Sequence, residues 1–389
     1  MMSSSRSELS SSGRVVMAKS VPVLVAPPAR RVAAASTCDL PLDPSHATYL
    51  ATKTFGSLDG LRALSILAVV WHHTYVSNYS LRLAYRGFLG VDLFFVISGF
   101  LIVTLLLRER RRTGSISLKK FYIRRFLRIF PPYYAVLAFV AIIAFLRPGE
   151  HSNAVRHDLP YAFFYVSNLF PMISILNPTW SLSTEEQFYL VVPTLQKLAR
   201  RAFPVLIVFA YLLVILPPFG LFPSWKLPVF FRETTFSPIL LGVMLALVLN
   251  HPTGYRWTSQ VLGHWLAPAI LGVLVVLACN YPADDISGFP RMLIQLSLLA
   301  FLAACVTQER HVLAPFLKLW PIRRLGIVSY GIYLYHLIAR HAVKAGMKFA
   351  GIDSQVLFFL GTAACAWGIA ELSFHLYESR FLALKSRWE

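Results

Sequence analysis

Residues 58–73 read LDGLRALSILAVVWHH and open the first of ten long apolar segments in this 389-residue chain. A helix needs about 20 mostly apolar residues to cross a bilayer. Segments of this kind lie at residues 61–79, 88–107, 130–147, 182–199, 203–221, 230–249, 262–279, 291–307, 325–341 and 354–376. The sequence therefore predicts an all-α fold, a polytopic membrane helical bundle of about ten transmembrane helices.

The composition of the chain excludes most other classes of protein. Apolar residues make up 56% of the sequence and charged residues only 14%, whereas a soluble domain has about 25% charged residues. A soluble enzyme and a fibrous protein are therefore excluded. The four cysteines form no Cys-x-x-Cys pair, so we predict neither a disulfide framework nor a metal site.

The cationic excess of the chain is explained by membrane topology. Lys and Arg outnumber Asp and Glu by 37 to 18. With the N-terminus inside the cell, 26 of these cations fall in cytoplasmic connections and 10 on the opposite side, as the positive-inside rule describes. We therefore predict a multi-pass protein of the inner or plasma membrane, in contact with the lipid bilayer, with both termini cytoplasmic and no nucleic-acid partner.

The sequence also divides into three predicted parts. Residues 1–50 are rich in Ser, Ala, Arg and Pro, and we predict that they form a disordered cytoplasmic tail. Residues 51–382 are predicted to form the membrane domain. Residues 383–389 are predicted to form a second, short cytoplasmic tail.

Two ionisable residues of the first segment share one helix face. Arg62 and His73 are eleven residues apart, which is about 20° beyond three full turns and a rise of about 16 Å. Ionisable side chains inside a membrane mark a site or a pathway by default. We expect Arg62 at the cytoplasmic surface and His73 at about half the depth of the bilayer. The alternative is a snorkelling arginine and a histidine that is hydrogen-bonded between helices.

A second cationic cluster, RRFLRIFPP, stands at the start of the third segment. Its Arg125 and Arg128 are three residues apart and share a helix face, whereas Arg124 is predicted to face elsewhere. Guanidinium groups bind phosphate oxygens in a bidentate manner, so this pair is a candidate phosphate site. The alternative is a positive-inside anchor without a ligand.

Polar and aromatic residues are concentrated at the outer end of the fourth segment, in the stretch WSLSTEEQFYL. Glu185 and Glu186 are candidate catalytic carboxylates that would orient a histidine or an acceptor, or pair with an arginine. Trp180, Ser181 and Tyr189 are candidate substrate contacts. The alternative is a helix N-cap followed by acidic residues that favour the helix dipole.

Two further segments contain isolated polar residues. His336 lies among aromatic residues in LGIVSYGIYLYHL and is either structural or part of the site. Asp92 lies near the start of GVDLFFVISGFLI, in which Ser98 and Gly99 would let helices pack closely. The chain contains no Walker, GxGxxG, HExxH or GxSxG motif, so ATP hydrolysis, metalloprotease activity and serine esterase activity have no support.

Five of these stretches together resemble the acyltransferase-three family of integral-membrane O-acyltransferases. They are LDGLRALSILAVVWHH, GFLGVDLFFVISGFLI, FYIRRFLRIFPPYY, WSLSTEEQFYL and LGIVSYGIYLYH, in the order of the family, and ELSFHLYESRF is a weaker sixth. The resemblance implies transfer of an acyl group, usually acetyl, from cytoplasmic acyl-CoA to a hydroxyl of a glycan or another metabolite. One departure lies at residues 378–381, where Glu-Ser-Arg-Phe stands in place of the family's Glu-x-Pro-Phe.

The resemblance also implies roles for individual residues. Arg62 and His73 match the family's Arg-x10-His pair, and Arg125 and Arg128 match its Arg-x-x-Arg motif. We expect the three arginines to bind the phosphates of acyl-CoA, a co-substrate rather than a bound cofactor, and neutral His73 to act as general base on the acceptor hydroxyl. His336 is expected to contact substrate. A covalent acyl-enzyme and the identities of acyl group and acceptor stay open.

Two alternatives differ from this hypothesis. The first is a polytopic transporter or flippase, which would move its substrate without acyl transfer, although the sequence has no visible internal repeat. The second is another type of membrane acyltransferase, with His336 as the catalytic histidine. Replacing His73 and His336 in turn separates the second alternative from the first hypothesis.

Overall fold

The computed structural model describes residues 44–52, 54–75, 82–219 and 236–385, and these ranges contain helices but no strand. The α-helices, in chain order, are α1 (Pro44–Ala51), α2 (Gly56–Thr74), α3 (Arg82–Tyr85), α4 (Leu89–Thr113), α5 (Leu118–Leu146), α6 (Glu150–Phe163), α7 (Thr179–Leu198), α8 (Phe203–Ile215), α9 (Ser237–Asn250), α10 (Pro252–Leu262), α11 (Ala267–Cys279), α12 (Phe289–Thr307), α13 (Ala314–Leu317), α14 (Trp320–Ile327), α15 (Ser329–Phe349), α16 (Gln355–Ser373) and α17 (Ser379–Lys385). A π-helical turn, Phe374–Glu378, joins α16 to α17.

Each apolar segment predicted from the sequence overlaps one of these helices. By length and composition, four helical stretches in the described ranges can cross a membrane, namely α4, α5, α12 and Gln355–Leu384. Two bent pairs, α1 with α2 and α9 with α10, raise this number to six if each pair is one span. The all-helical apolar fold is confirmed, whereas the number ten and the position of the termini stay predictions.

The helix α1 lies in the segment that the sequence predicted to be disordered. It buries His46 and Tyr49, and the His46 ring stacks on that of Tyr255 in α10 at a centroid distance of 4.8 Å. The prediction of disorder was therefore wrong for residues 44–50, because buried aromatic rings attach them to the bundle. The rest of the two predicted tails lies outside the described residues, apart from the last turn of α17.

Glycines allow α4 and α9 to pack at close range. A Cβ atom on Gly99 of α4 would lie 2.0 Å from the Ile239 carbonyl oxygen of α9, and one on Gly242 of α9 would lie 2.2 Å from the Val96 carbonyl oxygen of α4. Neither helix can therefore carry a side chain at this crossing without moving apart. The predicted role of Gly99 in close packing is confirmed.

The helix α2 is held between α4 and α14 in the same way. A Cβ atom on Gly90 of α4 would lie 2.3 Å from the Ser65 carbonyl oxygen, and one on Gly326 of α14 would lie 1.7 Å from the Asp59 carbonyl oxygen. Because both neighbours touch its backbone, α2 has little freedom to rotate or slide. The side chains on its remaining face are thereby fixed in position.

Buried charges near the C-terminal end of α2 are paired. Asp92 is 2% exposed and accepts hydrogen bonds from Arg291 at 2.7 Å and from Gln295 at 3.3 Å. Arg86 is 1% exposed and donates to the Cys279 carbonyl oxygen at 2.9 Å. These contacts join the start of α4 to α11 and α12, and they satisfy charges that would otherwise be costly to bury.

Several helices present large apolar side chains to their surroundings. Phe145 of α5, Phe209 of α8 and Leu277 of α11 are between 58% and 66% exposed. Continuous apolar surface of this kind is unfavourable in water and is typical of helices that face lipid. Together with the apolar helices, it indicates a multi-pass membrane protein.

Candidate active site

A large cavity opens between α2, α4 and α5, and its lining is strongly cationic. Its volume is about 1000 Å³. The cationic residues that line it are Arg62, Arg108, Arg111, Arg112, Lys120, Arg124, Arg125 and Arg128. Glu109 is the one acidic residue among the described residues of the lining. The cavity therefore has the charge and the size to receive a large anionic ligand.

The three arginines singled out from the sequence meet in this cavity, and we call Arg62, Arg125 and Arg128 the inner trio. Their guanidinium groups are close enough to interact electrostatically. Nη1 of Arg62 is 3.6 Å from Oδ1 of Asp59, a carboxylate that also faces Arg323 at 3.8 Å. One shared carboxylate does not neutralise three guanidinium groups, so the inner trio keeps an excess of positive charge.

Arg124 lines the same cavity, although the sequence predicted that it faces elsewhere. Its Nη2 atom is 3.5 Å from Oε2 of Glu109 on α4. The prediction considered the faces of α5 alone. The cavity is wide enough to include the neighbouring face of α5, because α4 forms the opposite wall.

Two of the other cations stabilise the walls of the cavity. Arg108 donates a hydrogen bond to the Tyr49 carbonyl oxygen near the end of α1 at 3.1 Å. Arg111 donates to the Asn250 carbonyl oxygen at the end of α9 at 2.5 Å. Positive charge is favourable at the C-terminal end of a helix, where carbonyl groups lack partners. These two arginines therefore hold α1 and α9 against α4.

Arg125 connects the inner trio to a buried group of hydroxyls around Glu185. Its guanidinium carbon lies 4.6 Å from the centre of the Tyr189 ring, a cation–π arrangement. The Tyr189 and Ser98 hydroxyls both donate to the Glu185 carboxylate. In the described structure the hydrogen bonds of this carboxylate thus run to α4 and α7, and none runs to His73. The expectation that Glu185 orients the imidazole has no contact to support it.

One face of α2 leads from the large cavity towards His73. Ile66 and Val69 lie between Arg62 and His73 on this face, and they line a second cavity of about 30 Å³ next to Glu185. The other walls of this second cavity are formed by Gly90, Val91, Phe94, Phe95, Ser181, Leu182, Tyr330 and Tyr333. The shared face that the eleven-residue spacing predicted is therefore confirmed, and it borders a narrow, mostly apolar space.

The imidazole of His73 has a defined hydrogen-bonding state. Its Nδ1 atom is 2.9 Å from the Val69 carbonyl oxygen. A carbonyl oxygen only accepts hydrogen bonds, so Nδ1 carries a proton in this contact and neutral His73 has its lone pair on Nε2. A general base needs a lone pair of this kind at the atom that faces the acceptor.

His73 lies close to the end of its helix. It is the second-to-last residue of α2, about 25 Å from Gly56 at 1.5 Å per residue. The carbonyl oxygen of the next residue, Thr74, accepts a hydrogen bond of 2.9 Å from Gln355 at the start of α16. The expectation of half depth assumed a helix over residues 61–79, whereas α2 starts earlier and ends at Thr74.

His336 lies beside His73, and the centres of the two rings are 4.8 Å apart. Nδ1 of His336 is 2.6 Å from the Tyr333 carbonyl oxygen, so the lone pair of this ring is also on Nε2. That Nε2 atom is buried and has no hydrogen-bond partner in the described structure. It belongs to the lining of a third cavity, of about 40 Å³, with Thr179 and Leu182. Both candidate catalytic histidines therefore meet at one place.

Ser181 and Trp180 lie at the start of α7. The Ser181 hydroxyl oxygen is 2.6 Å from that of Tyr333, and the Tyr333 hydroxyl also donates to the Pro178 carbonyl oxygen at 2.8 Å. The Trp180 ring packs edge-on against Phe95 of α4 at 6.2 Å between centroids. Ser181 borders the second cavity, whereas Trp180 packs against the core, and a substrate contact by either residue stays a prediction.

Glu186 faces different surroundings from Glu185. It interacts electrostatically with Tyr133, Tyr134 and Tyr165, aromatic residues on and near α5. Adjacent residues of a helix point about 100° apart, so the two carboxylates of α7 face α4 and α5 respectively. A hydrogen bond from Glu186 to His73 is absent from the described structure, and its predicted catalytic role is untested.

Three polar residues of this region received no functional role in the sequence analysis. Ser98 was noted only for its size, yet its hydroxyl binds Glu185. Tyr333 joins α15 to the start of α7, and Arg340 interacts electrostatically with both His73 and His336. The i,i+4 spacing of Arg340 from His336 is a signal that places them on one face of α15.

An apolar helical bundle with a cationic cavity at one end of α2 and a histidine pair at the other has the parts of a membrane-bound group-transfer enzyme. The acyltransferase-three family model, described as an acyltransferase domain, matches residues 55–371. The chain belongs to this family, and the resemblance drawn from its motifs is confirmed. Its membership identifies an enzyme and gives no support to a transporter.

Several bacterial proteins are similar to this chain. The peptidoglycan O-acetyltransferase OatA of Listeria monocytogenes is 32% identical over 364 residues, which cover 85% of this chain and 56% of the relative. YrhL of Bacillus subtilis, whose name assigns the same activity provisionally, is 31% identical over 82% of this chain and 54% of its own length. A Staphylococcus aureus (strain COL) protein, named provisionally as an O-acetyltransferase, is 29% identical over 86% and 58%.

The chain thus spans just over half the length of the curated relatives that it matches. No solved structure matches it.

Proposed function

We propose that this chain transfers an acetyl group from acyl-CoA on the cytoplasmic side to a hydroxyl of a cell-envelope glycan. The name of the Listeria relative favours acetyl as the acyl group and peptidoglycan as the acceptor. The observation that carries the proposal is the face of α2, which has Arg62 in the cationic cavity at one end and His73 at the other.

The cationic cavity is the proposed binding site of the donor. The phosphates of acyl-CoA bind to the inner trio, since guanidinium groups match phosphate oxygens in charge and geometry. The pantetheine arm then extends along the face of α2, past Ile66 and Val69 and through the second cavity. The rise of about 16 Å between Arg62 and His73 is comparable to the length of this arm.

His73 is the proposed general base. Its Nε2 lone pair takes the proton of the acceptor hydroxyl while the hydroxyl oxygen attacks the thioester carbon. The carbon–sulfur bond then breaks, the acetyl ester forms, and the CoA thiolate leaves and takes up a proton. The Val69 carbonyl keeps Nδ1 protonated, which directs the lone pair of Nε2 away from the helix backbone.

His336 and Arg340 are proposed to assist at the same place. The Arg340 guanidinium is a source of positive charge beside both imidazoles, and it would stabilise negative charge that develops on the thioester oxygen. The unpartnered Nε2 of His336 is a ready acceptor for an acceptor hydroxyl. An acyl-histidine intermediate on either ring is the alternative route for the same overall reaction.

The reaction is tested in cells that produce either the unchanged chain or the His73→Gln variant at equal level. Envelope glycans are isolated, and the O-acetyl esters released by mild alkali are measured by mass spectrometry. We expect esters with the unchanged chain and background levels with the variant. Glycans that carry the same number of esters in both strains would contradict the proposal.

A further inference from the structure

The cationic cavity contains a second group of cations that the inner trio does not include. We call Arg112, Lys120 and Arg124 the rim cations; they come from the end of α4 and the first turns of α5. Resting on the proposed function, we propose that the rim cations bind the 3′-phosphate of the CoA nucleotide, while the inner trio binds its diphosphate.

The spacing along α5 supports two separate anion positions. Lys120, Arg124 and Arg128 follow one another at intervals of four residues, so they lie on one side of the helix and rise about 6 Å per step. In CoA the diphosphate and the 3′-phosphate are joined to the same ribose, at a separation on the order of one such step. A nucleotide whose diphosphate is at Arg128 therefore has its 3′-phosphate near Arg124 and Lys120.

The connection between α4 and α5 gives the rim a fixed shape. Gly114 ends α4 with a φ of +80°, a conformation that favours glycine. Oε1 of Glu109 accepts a hydrogen bond of 3.0 Å from the Ser117 backbone N–H, and its Oε2 faces Arg124 at 3.5 Å. One carboxylate therefore holds both the turn and Arg124, which keeps Arg112 and Lys120 at the same edge of the cavity.

The charge balance of the rim also indicates an anionic ligand. Three cations are accompanied by Glu109, the one acid of the described lining. Arg108 and Arg111, the remaining cations of the lining, donate to helix-end carbonyls, so their positions are explained by the fold. The rim cations are the part of the lining whose charge the fold does not use, and they border a space of about 1000 Å³.

The alternative is that the rim cations serve only as positive-inside anchors. Both roles place arginine and lysine at this end of the bundle, but they differ in one respect. An anchor does not distinguish CoA from 3′-dephospho-CoA, which keeps the diphosphate and the pantetheine arm and lacks the 3′-phosphate. A 3′-phosphate site favours CoA over its dephosphorylated form.

The test measures binding of CoA and of 3′-dephospho-CoA to the purified chain by calorimetry, in nanodiscs of zwitterionic lipid at low salt. We expect the unchanged chain to bind CoA about tenfold more tightly than 3′-dephospho-CoA. The double variant Arg112→Gln/Lys120→Gln should lose this preference and keep the affinity for 3′-dephospho-CoA. Arg128→Gln should weaken the binding of both ligands by about tenfold and keep the preference.

Lys119→Gln is the matched control, because Lys119 is exposed on the same turn of α5 and does not belong to the described lining of the cavity. Its preference for CoA should equal that of the unchanged chain. Equal binding of both ligands by the unchanged chain, or an unaltered preference in the double variant, would overturn the 3′-phosphate site and leave the proposed function standing. Failure of the folded, unchanged chain to bind either ligand would overturn the proposed donor itself.

Discussion

The Val69 carbonyl decides which nitrogen of His73 is available for chemistry. Because it accepts a hydrogen bond from Nδ1, the lone pair of the neutral ring is on Nε2. His72 is the adjacent histidine, and its Nδ1 atom contacts the Tyr85 carbonyl oxygen at 3.0 Å. The two neighbouring rings point about 100° apart around α2, so only His73 continues the face that begins at Arg62.

Arg128 is expected to act on the affinity for the donor. Arg128→Gln should raise the KM for acetyl-CoA about tenfold and change kcat by less than about twofold, because a phosphate far from the thioester is bound equally in ground state and transition state. Steady-state kinetics in membrane vesicles at equal expression measures both constants. Arg147→Gln, at the other end of α5, is the control, and a loss confined to kcat would contradict this role.

Tyr189 combines two contacts that two substitutions can separate. Tyr189→Phe removes the hydroxyl that binds Glu185 and should lower the free energy of unfolding by about 1–3 kcal/mol, because a buried carboxylate loses a donor. Tyr189→Leu also removes the ring under Arg125 and should raise the KM for acetyl-CoA a further fivefold or about that. Thermal unfolding in detergent and donor kinetics give the two readouts. Equal KM values in both variants would argue against the cation–π contact.

At the scale of the helices, backbone contact between α4 and α9 is the feature most sensitive to a small change. Gly99→Ala would bring a Cβ atom to 2.0 Å from the Ile239 carbonyl oxygen. We expect a loss of stability of about 1–3 kcal/mol, because the two helices must separate. The measurement is the midpoint of thermal unfolding in detergent.

Gly368→Ala in α16 is the matched control for this prediction. A Cβ atom there would have no neighbouring heavy atom within 4 Å, so the better helix propensity of alanine should leave stability equal or raise it by about 0.5–1 kcal/mol. Similar losses in both variants would show that the α4–α9 crossing has no special role.

The sequence was sufficient for the helices and for the inner trio, because both depend on local spacing. Apolar runs mark the helices, and the eleven-residue and three-residue intervals bring Arg62, Arg125 and Arg128 to definite faces. It was insufficient for Glu185, whose partner Ser98 is 87 residues away, and for Ser181, whose partner Tyr333 is 152 residues away. Such pairs depend on how helices pack, which spacing within one helix does not determine.

The end of α2 shows a second limit of sequence analysis. Residues 61–79 form a continuous mostly apolar run, which hides the actual start at Gly56 and end at Thr74. Helix ends depend on contacts such as that of the Thr74 carbonyl oxygen with Gln355. The relation of Arg62 to His73 was therefore predictable, whereas the position of both along the bundle was not.

For the whole molecule, the distribution of cations predicts which connections face the cytoplasm. We expect Arg200→Cys, between α7 and α8, to react with a membrane-impermeant maleimide only in inside-out vesicles. Asp284→Cys, in the exposed connection after α11, should react only in intact cells. Both variants are made in a chain whose own cysteines are replaced by serine. Labelling of the two positions from the same side would contradict the predicted orientation.

The whole molecule also separates the two ends of the proposed reaction. The cationic cavity lies near the start of α2, and the histidine pair lies near its end, next to the connections that the charge bias places outside. This arrangement would let the donor approach from the cytoplasm and the acceptor glycan from the other side. It depends on His73 being the residue at which donor and acceptor meet.

The most direct test of that claim is the turnover of acetyl transfer from labelled acetyl-CoA to glycan in inside-out vesicles. Three chains are compared at equal membrane levels: the unchanged chain, His73→Gln and His72→Gln. We predict that His73→Gln lowers kcat by about 10²–10⁴-fold, the usual contribution of a general base, with the KM for acetyl-CoA little changed. His72→Gln should keep most of the activity. Turnover of His73→Gln equal to that of His72→Gln would contradict the role of His73 and the mechanism built on it.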